Sequence, residues 1–171
     1  MKKLARLVVV SVMVLCCWQV AGAQNSRSER KAKKEAEVKK MVDSNSYSFE
    51  ADFAIPQSGG NHHLTDLYDL RVKKDSVIAY LPYFGVAHLA PMPASEDGGI
   101  KFTSTNFNYK RRELKKGGWE ITIKPKDNNI SDWRDVQQMV LNISPDGFAS
   151  LVVISSNRDP ISFTGELASK N

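Results

Sequence analysis

From Tyr47 onward, apolar residues recur with a period of two in short runs, each separated from the next by Gly, Pro, Asp or Lys clusters. An extended chain places alternate side chains on opposite faces, so this pattern predicts an antiparallel, mainly β domain with one wall of each strand buried. Nine runs carry it: residues 47–55, 67–72, 76–81, 100–103, 107–114, 119–124, 139–143, 148–155 and 161–167. Nine strands fill residues 46–171, and no room is left for a second domain. A single β-barrel or β-sandwich accounts for them equally well.

Three connections are short enough to force hairpins: residues 73–75, 115–118 and 145–147. Gly and Asp there suit the turn conformations. Within the fifth run, Phe107 and Tyr109 share one parity and Leu114 the other, which predicts a β-bulge near Arg111. The runs 76–81 and 151–154 are apolar on both parities, as expected of central strands covered on both faces.

Residues 24–45 differ in kind. Arg27 to Lys40 holds seven basic residues and three glutamates, and Ser26-x-x-Glu29 has capping-box spacing. A helix over residues 26–43 follows, with Ala32, Ala36, Val38, Met41 and Val42 as its thin apolar stripe. That stripe is too sparse to anchor the whole helix, so its first turns are expected to fray. A solvated leader is one reading; a basic helix lying on an anionic membrane surface or lipopolysaccharide is the other.

Ahead of the helix, Lys2, Lys3 and Arg6 precede an apolar stretch from Leu7 to Cys17, and Ala21-Gly22-Ala23 supplies a small-x-small cleavage site. Residues 1–23 therefore read as a signal peptide, with a mature chain starting at Gln24 and exported to the periplasm, the envelope or the exterior. Lipidation is the competing reading, but Leu15 precedes Cys16 and Cys16 precedes Cys17, where that chemistry wants a small residue. Both cysteines of the chain lie in this segment, so the mature protein has no disulfide, zinc-thiolate site or cysteine nucleophile. The formal charge of +5 falls to +2 once the three signal-peptide cations are gone, and the basic helix carries +4, leaving the β domain at −2. Nucleic-acid binding by a basic surface is not supported.

Leu81-Pro82-Tyr83-Phe84-Gly85, Gly98-Gly99-Ile100-Lys101-Phe102, the stretch from Gly147 to Arg158 and Ile161-Ser162-Phe163-Thr164-Gly165 together resemble a family of small secreted proteins of Gram-negative gut and oral bacteria. It is the domain-of-unknown-function family numbered four-two-five-one, and the resemblance spans about residues 47–165. It implies an envelope or secreted location and implies no activity.

No catalytic or cofactor fingerprint is present: neither Gly-x-Ser-x-Gly nor Ser-x-x-Lys occurs in the mature chain. Adjacent His62 and His63 point to opposite faces of an extended chain and cannot share one metal without a turn. Asp127-x-Asn129-x-Ser131 imitates the first half of a calcium loop, but Asp132 and Gln138 stand where Gly and Glu are needed. No metal and no cofactor is expected.

Binding residues are expected in two places. The connection 82–98 is long and apolar, and Pro82 must end the preceding strand with Tyr83 and Phe84 at its exit. Tyr80, Pro82, Tyr83, Phe84 and His88 are the candidates there, as a lid on the core or a ligand surface. The basic hairpin built on Lys110-Arg111-Arg112, flanked by Tyr109 and Trp119, contributes Tyr109, Arg111 and Trp119 as a site for an anionic glycan or as a charged edge that blocks aggregation. Asp75-Ser76-Val77 resembles an O-glycan acceptor, which makes Ser76 the candidate modification site. The sequence thus points to an exported, non-catalytic binding or structural module whose partner is a small molecule, a glycan or an envelope protein. A small hydrolase acting on an envelope or dietary glycan is the alternative.

Overall fold

The computed structural model describes residues 27–88, 98–127 and 136–169. The expected signal peptide, Ser26, residues 89–97 of the long apolar connection and residues 129–131 of the calcium-like stretch lie outside them.

Ten strands form one antiparallel sheet: β1 (Tyr47–Pro56), β2 (His62–His63), β3 (Asp69–Val72), β4 (Val77–Leu81), β5 (Ile100–Ser104), β6 (Phe107–Glu113), β7 (Trp119–Pro125), β8 (Val136–Ile143), β9 (Phe148–Ser155) and β10 (Ile161–Ala168). Across the sheet they run β5-β4-β3-β1-β10-β9-β8-β7-β6, with β2 added to β1. The two outermost strands, β5 and β6, are consecutive in the chain with only Thr105 and Asn106 between them. Opposite edges joined by so short a link must meet at that corner, so the sheet curls into a nearly closed barrel. Asp127 fastens the corner: its Oδ2 accepts from the amides of Thr105 at 3.1 Å and Asn106 at 3.4 Å. The residue that opens the calcium-like stretch therefore holds a turn.

Inward-facing side chains fill the barrel. Phe49, Leu70, Leu81, Ile121, Leu141, Leu151 and Phe163 are fully buried, one from nearly every wall. Each such side chain contributes about 1.5–3 kcal/mol by leaving water. The three hairpins form as expected, closed by bonds from Lys73 to Ser76, Leu114 to Gly118 and Ser144 to Phe148. Positive φ is confined there to Gly117, Gly118 and Gly147; the 73–75 turn closes without it.

Three expectations are corrected. β6 pairs with β7 in unbroken register from Phe107 to Glu113, and Leu114 simply leaves the strand as the first residue of the turn. The bulges lie instead in β1, between Ala51 and Phe53, and in β8, between Val136 and Gln138. Strands β4 and β9 are not sandwiched: β4 is next to an edge, and the outward Tyr80 and Ile154 are exposed, because a barrel wall has no second layer over it. Finally, the two histidines, which none of the nine expected runs includes, pair with Phe53 and Ala54 as β2.

A helix, α1, covers residues 27–44. Ala32 and Ala36 are exposed, and only Val38, Met41 and Val42 are buried, so the helix is anchored by its last two turns alone. Its end is well finished. Asn45 takes the left-handed conformation at φ 49°, and Ser44 Oγ donates to the Met41 carbonyl at 2.8 Å. Arg111 Nη1 donates to the Val42 carbonyl at 3.3 Å and to Asp43 at 2.8 Å, placing a cation where the helix dipole is negative.

Below the helix, the hydroxyls of Tyr47 and Tyr109 share a hydrogen bond of 3.1 Å. Burial pushes both phenols above their usual range, Tyr47 the more strongly. Tyrosines of an unfolded chain ionise near pH 10, whereas this pair holds its protons. The stability they contribute is therefore complete below about pH 10 and is lost as the pH rises further, because the unfolded chain then binds fewer protons than the native one. Urea midpoints measured from pH 8 to 11.5 should fall above about pH 10, and Tyr47→Phe should flatten that fall; an unchanged profile would show that the pair does not control it.

Candidate functional site

The aromatic exit after β4 is built as a fastening. Pro82 is buried and ends the strand. The Tyr83 hydroxyl lies within donating distance of two carbonyls, Val86 at 2.9 Å and Asp159 at 3.1 Å, and the guanidinium of buried Arg158 sits 4.6 Å from its ring centre. His88 reinforces the seam through its amide to the Asn157 carbonyl and its Nε2 to Asp159 Oδ1 at 3.0 Å. Phe84 stacks on His62 at 4.2 Å. Residues 82–88 are thereby tied to the β9–β10 connection, at the end of the barrel away from α1.

Tyr80 stands apart on the outer face, stacked on Tyr68 at 5.6 Å with Lys101 Nζ 4.6 Å from its ring centre. Tyr109, Arg111 and Trp119 gather at the α1 end instead. Tyr109 and Arg111 serve Tyr47 and the helix terminus, Trp119 is buried, and Arg112 is neutralised by both carboxylate oxygens of Glu120 at 2.9 Å. Ser76 is half-exposed at the β3–β4 turn, bonded to Asp75 at 2.9 Å. The candidate residues thus fall into separate clusters.

A further concavity, which no motif signalled, lies elsewhere. It is a trough of about 660 Å³ on the outer wall of β1, β10, β9 and β8. Its floor is a cross-strand row: Thr164 pairs with Ser150, which pairs with Asn142. Phe53, paired with Thr164, stands at one end, and the β6–β7 turn from Leu114 to Gly117 leans over Pro145 at the other. Phe148, 56% exposed, lines the side toward α1.

Phe53 owes its position to the β1 bulge. In a regular strand Phe49 and Phe53, four residues apart, would face the same way. Asp52 is the extra residue, so Phe49 points into the core while Phe53 turns outward and is 41% exposed. The bulge brings the Glu50 carbonyl onto the Cα of Gly165, where a Cβ would collide with it. Both rings are propped. His63 meets Phe53 edge to face at 5.0 Å, and Lys34, which pairs with Glu166 at 3.7 Å, lies 5.7 Å from the Phe148 centre. The signals that could have revealed the trough are Gly165, a residue without a side chain at an inward position of β10, and Ala54, an apolar residue on the parity that Ser48, Glu50 and Asp52 hold.

Among the described residues no group of three or more His, Cys, Asp or Glu side chains could hold a metal ion, and no helix is long and apolar enough to cross a membrane. No curated protein matches the sequence. The crystal structure of a DUF4251 family protein from Bacteroides eggerthii DSM 20697 is similar in fold, with a TM-score of 0.59 at 15% identity over 81% of this chain and 89% of that one. The family model described as domain of unknown function (DUF4251) matches residues 29–167, and the chain belongs to that family.

Proposed function

We propose that this protein is an exported, non-catalytic binding module of the cell envelope, and that it takes its ligand in the outer-wall trough between Phe53 and Phe148. The observation that carries this reading is the pair of exposed rings, each propped by a neighbour, on either side of a polar floor. Large aromatics held out of the core leave apolar area in water, a cost a protein avoids unless a partner covers it. Among the described residues one carboxylate, Asp52, lines the trough, where hydrolysis of a glycoside needs two. By contrast, the ring of Tyr83 is already engaged with Arg158 and two backbone carbonyls. Export is supported by the composition of residues 1–23.

A fragment library titrated into isotopically labelled protein, followed through its amide resonances, tests the site. Compounds that move Asn142, Ser150 and Thr164 are expected; compounds that move only residues 82–88 would transfer the function to that loop and overturn the trough.

A further inference from the structure

Resting on the trough as the ligand site, we infer that its ligand is a neutral saccharide. Three features of the trough select among chemical classes. The first is the floor. Asn142, Ser150 and Thr164 present a carboxamide and two hydroxyls, and no hydrogen bond to these side chains forms among the described residues. An alkyl chain laid over them would strip their water without replacing its hydrogen bonds, which is unfavourable for every group left unpaired.

The second is the backbone beneath. β10, β9 and β8 each have hydrogen-bonded neighbours on both sides, so their amides and carbonyls are spent in the sheet. An extended peptide binds by adding a strand to a free edge, and this floor has no edge to offer. Only side-chain donors and acceptors remain, which suits a ligand rich in hydroxyls.

The third is charge. Asp52 and Lys116 line the trough, and Lys34 and Glu166 pair beside Phe148, so cation and anion are balanced on both sides and neither sign of ligand is favoured. A pyranose combines an apolar C–H face, which packs on an aromatic ring, with a rim of hydroxyls. Neighbouring strands are about 4.8 Å apart, so the three floor residues spread over roughly 10 Å, enough for two sugar rings in a row.

The test uses amide resonances of the full mature chain with five probes: maltotriose, cellotriose, mannotriose, decanoate and a capped Val-Thr-Val-Thr peptide. At least one saccharide should shift Asn142, Ser150 and Thr164 saturably. Phe148→Ala should weaken it about tenfold, the worth of one aromatic contact, while Phe148→Tyr retains it. If decanoate or the peptide moves those amides and no saccharide does, the saccharide inference is overturned and the trough stands. If fragments and all five probes leave them unmoved, both fall.

Discussion

Gly165→Ala is expected to cost about 3 kcal/mol or more, at the upper end of what overpacking does. The added methyl would meet the Glu50 carbonyl and the Ala51 Cα, both backbone atoms of the neighbouring strand, so no side-chain rotation relieves the clash. The strands must separate or the β1 bulge must be expelled. Expelling it would swing Phe53 inward opposite Phe163 and turn buried Ala54 outward, and the register from Phe53 to Pro56 would be lost. Gly60→Ala is the matched control, since its Cβ would meet nothing within 4 Å; it should change stability by no more than about 0.5 kcal/mol. Urea denaturation of the two variants decides the matter. Equal midpoints would mean that the close approach at Gly165 is not required.

Phe49→Ala should lose about 3–5 kcal/mol, as buried aromatic truncations do, whereas Phe53→Ala should lose less than about 1 kcal/mol. The two residues stand four apart on one strand, one wholly buried and the other 41% exposed. A sheet without the bulge would make their costs alike. Thermal melts of both variants therefore test the bulge by energy alone, and similar losses would refute it. The pair also separates stability from binding, because Phe53→Ala should remain folded while losing affinity for anything held in the trough.

The strands were largely readable in the sequence because burial on one wall writes a period of two into each of them. Ala149, Leu151 and Val153 face inward and Phe148, Ser150 and Val152 outward, as alternation alone requires. Closure was not readable, because it depends on β5 and β6 being the two ends of the sheet order, which no local pattern encodes. The trough was hidden for a related reason. Its lining comes from β1, β8, β9, β10 and two turns, and its end wall depends on a bulge that alternation assigns to the wrong place. Leu114 drew attention to β6 by breaking parity, yet a strand that simply ends needs no bulge. In β1, Asp52 broke the alternation invisibly, since a polar residue at an outward position looks regular until its neighbour Phe53 is also found outside. The aromatic run after Leu81 was readable as the exit from a buried strand, but its engagement with Arg158 and Asp159 was not, because those residues arrive 75 and 76 positions after Tyr83 in the chain.

The pairing of β1 with β10 joins Ser48 to Ala168, 120 positions apart. A nascent chain emerging from its N-terminus thus presents one flank of β1, with Phe49 and Ala54, long before the partner that covers it exists. Contacts between such distant segments carry the full entropy of closing the intervening loop, so they form late and slowly. Until residues 161–168 arrive, β1 and β9 both expose unpaired amides and carbonyls, the templates on which strands from other molecules add. Loss of the last eight residues of the sheet would therefore be felt as aggregation before it was felt as lost binding. The same delay fixes when the fold can lock: a barrel whose two halves meet at the pairing of β1 with β10 stays open until the chain has been made as far as residue 168.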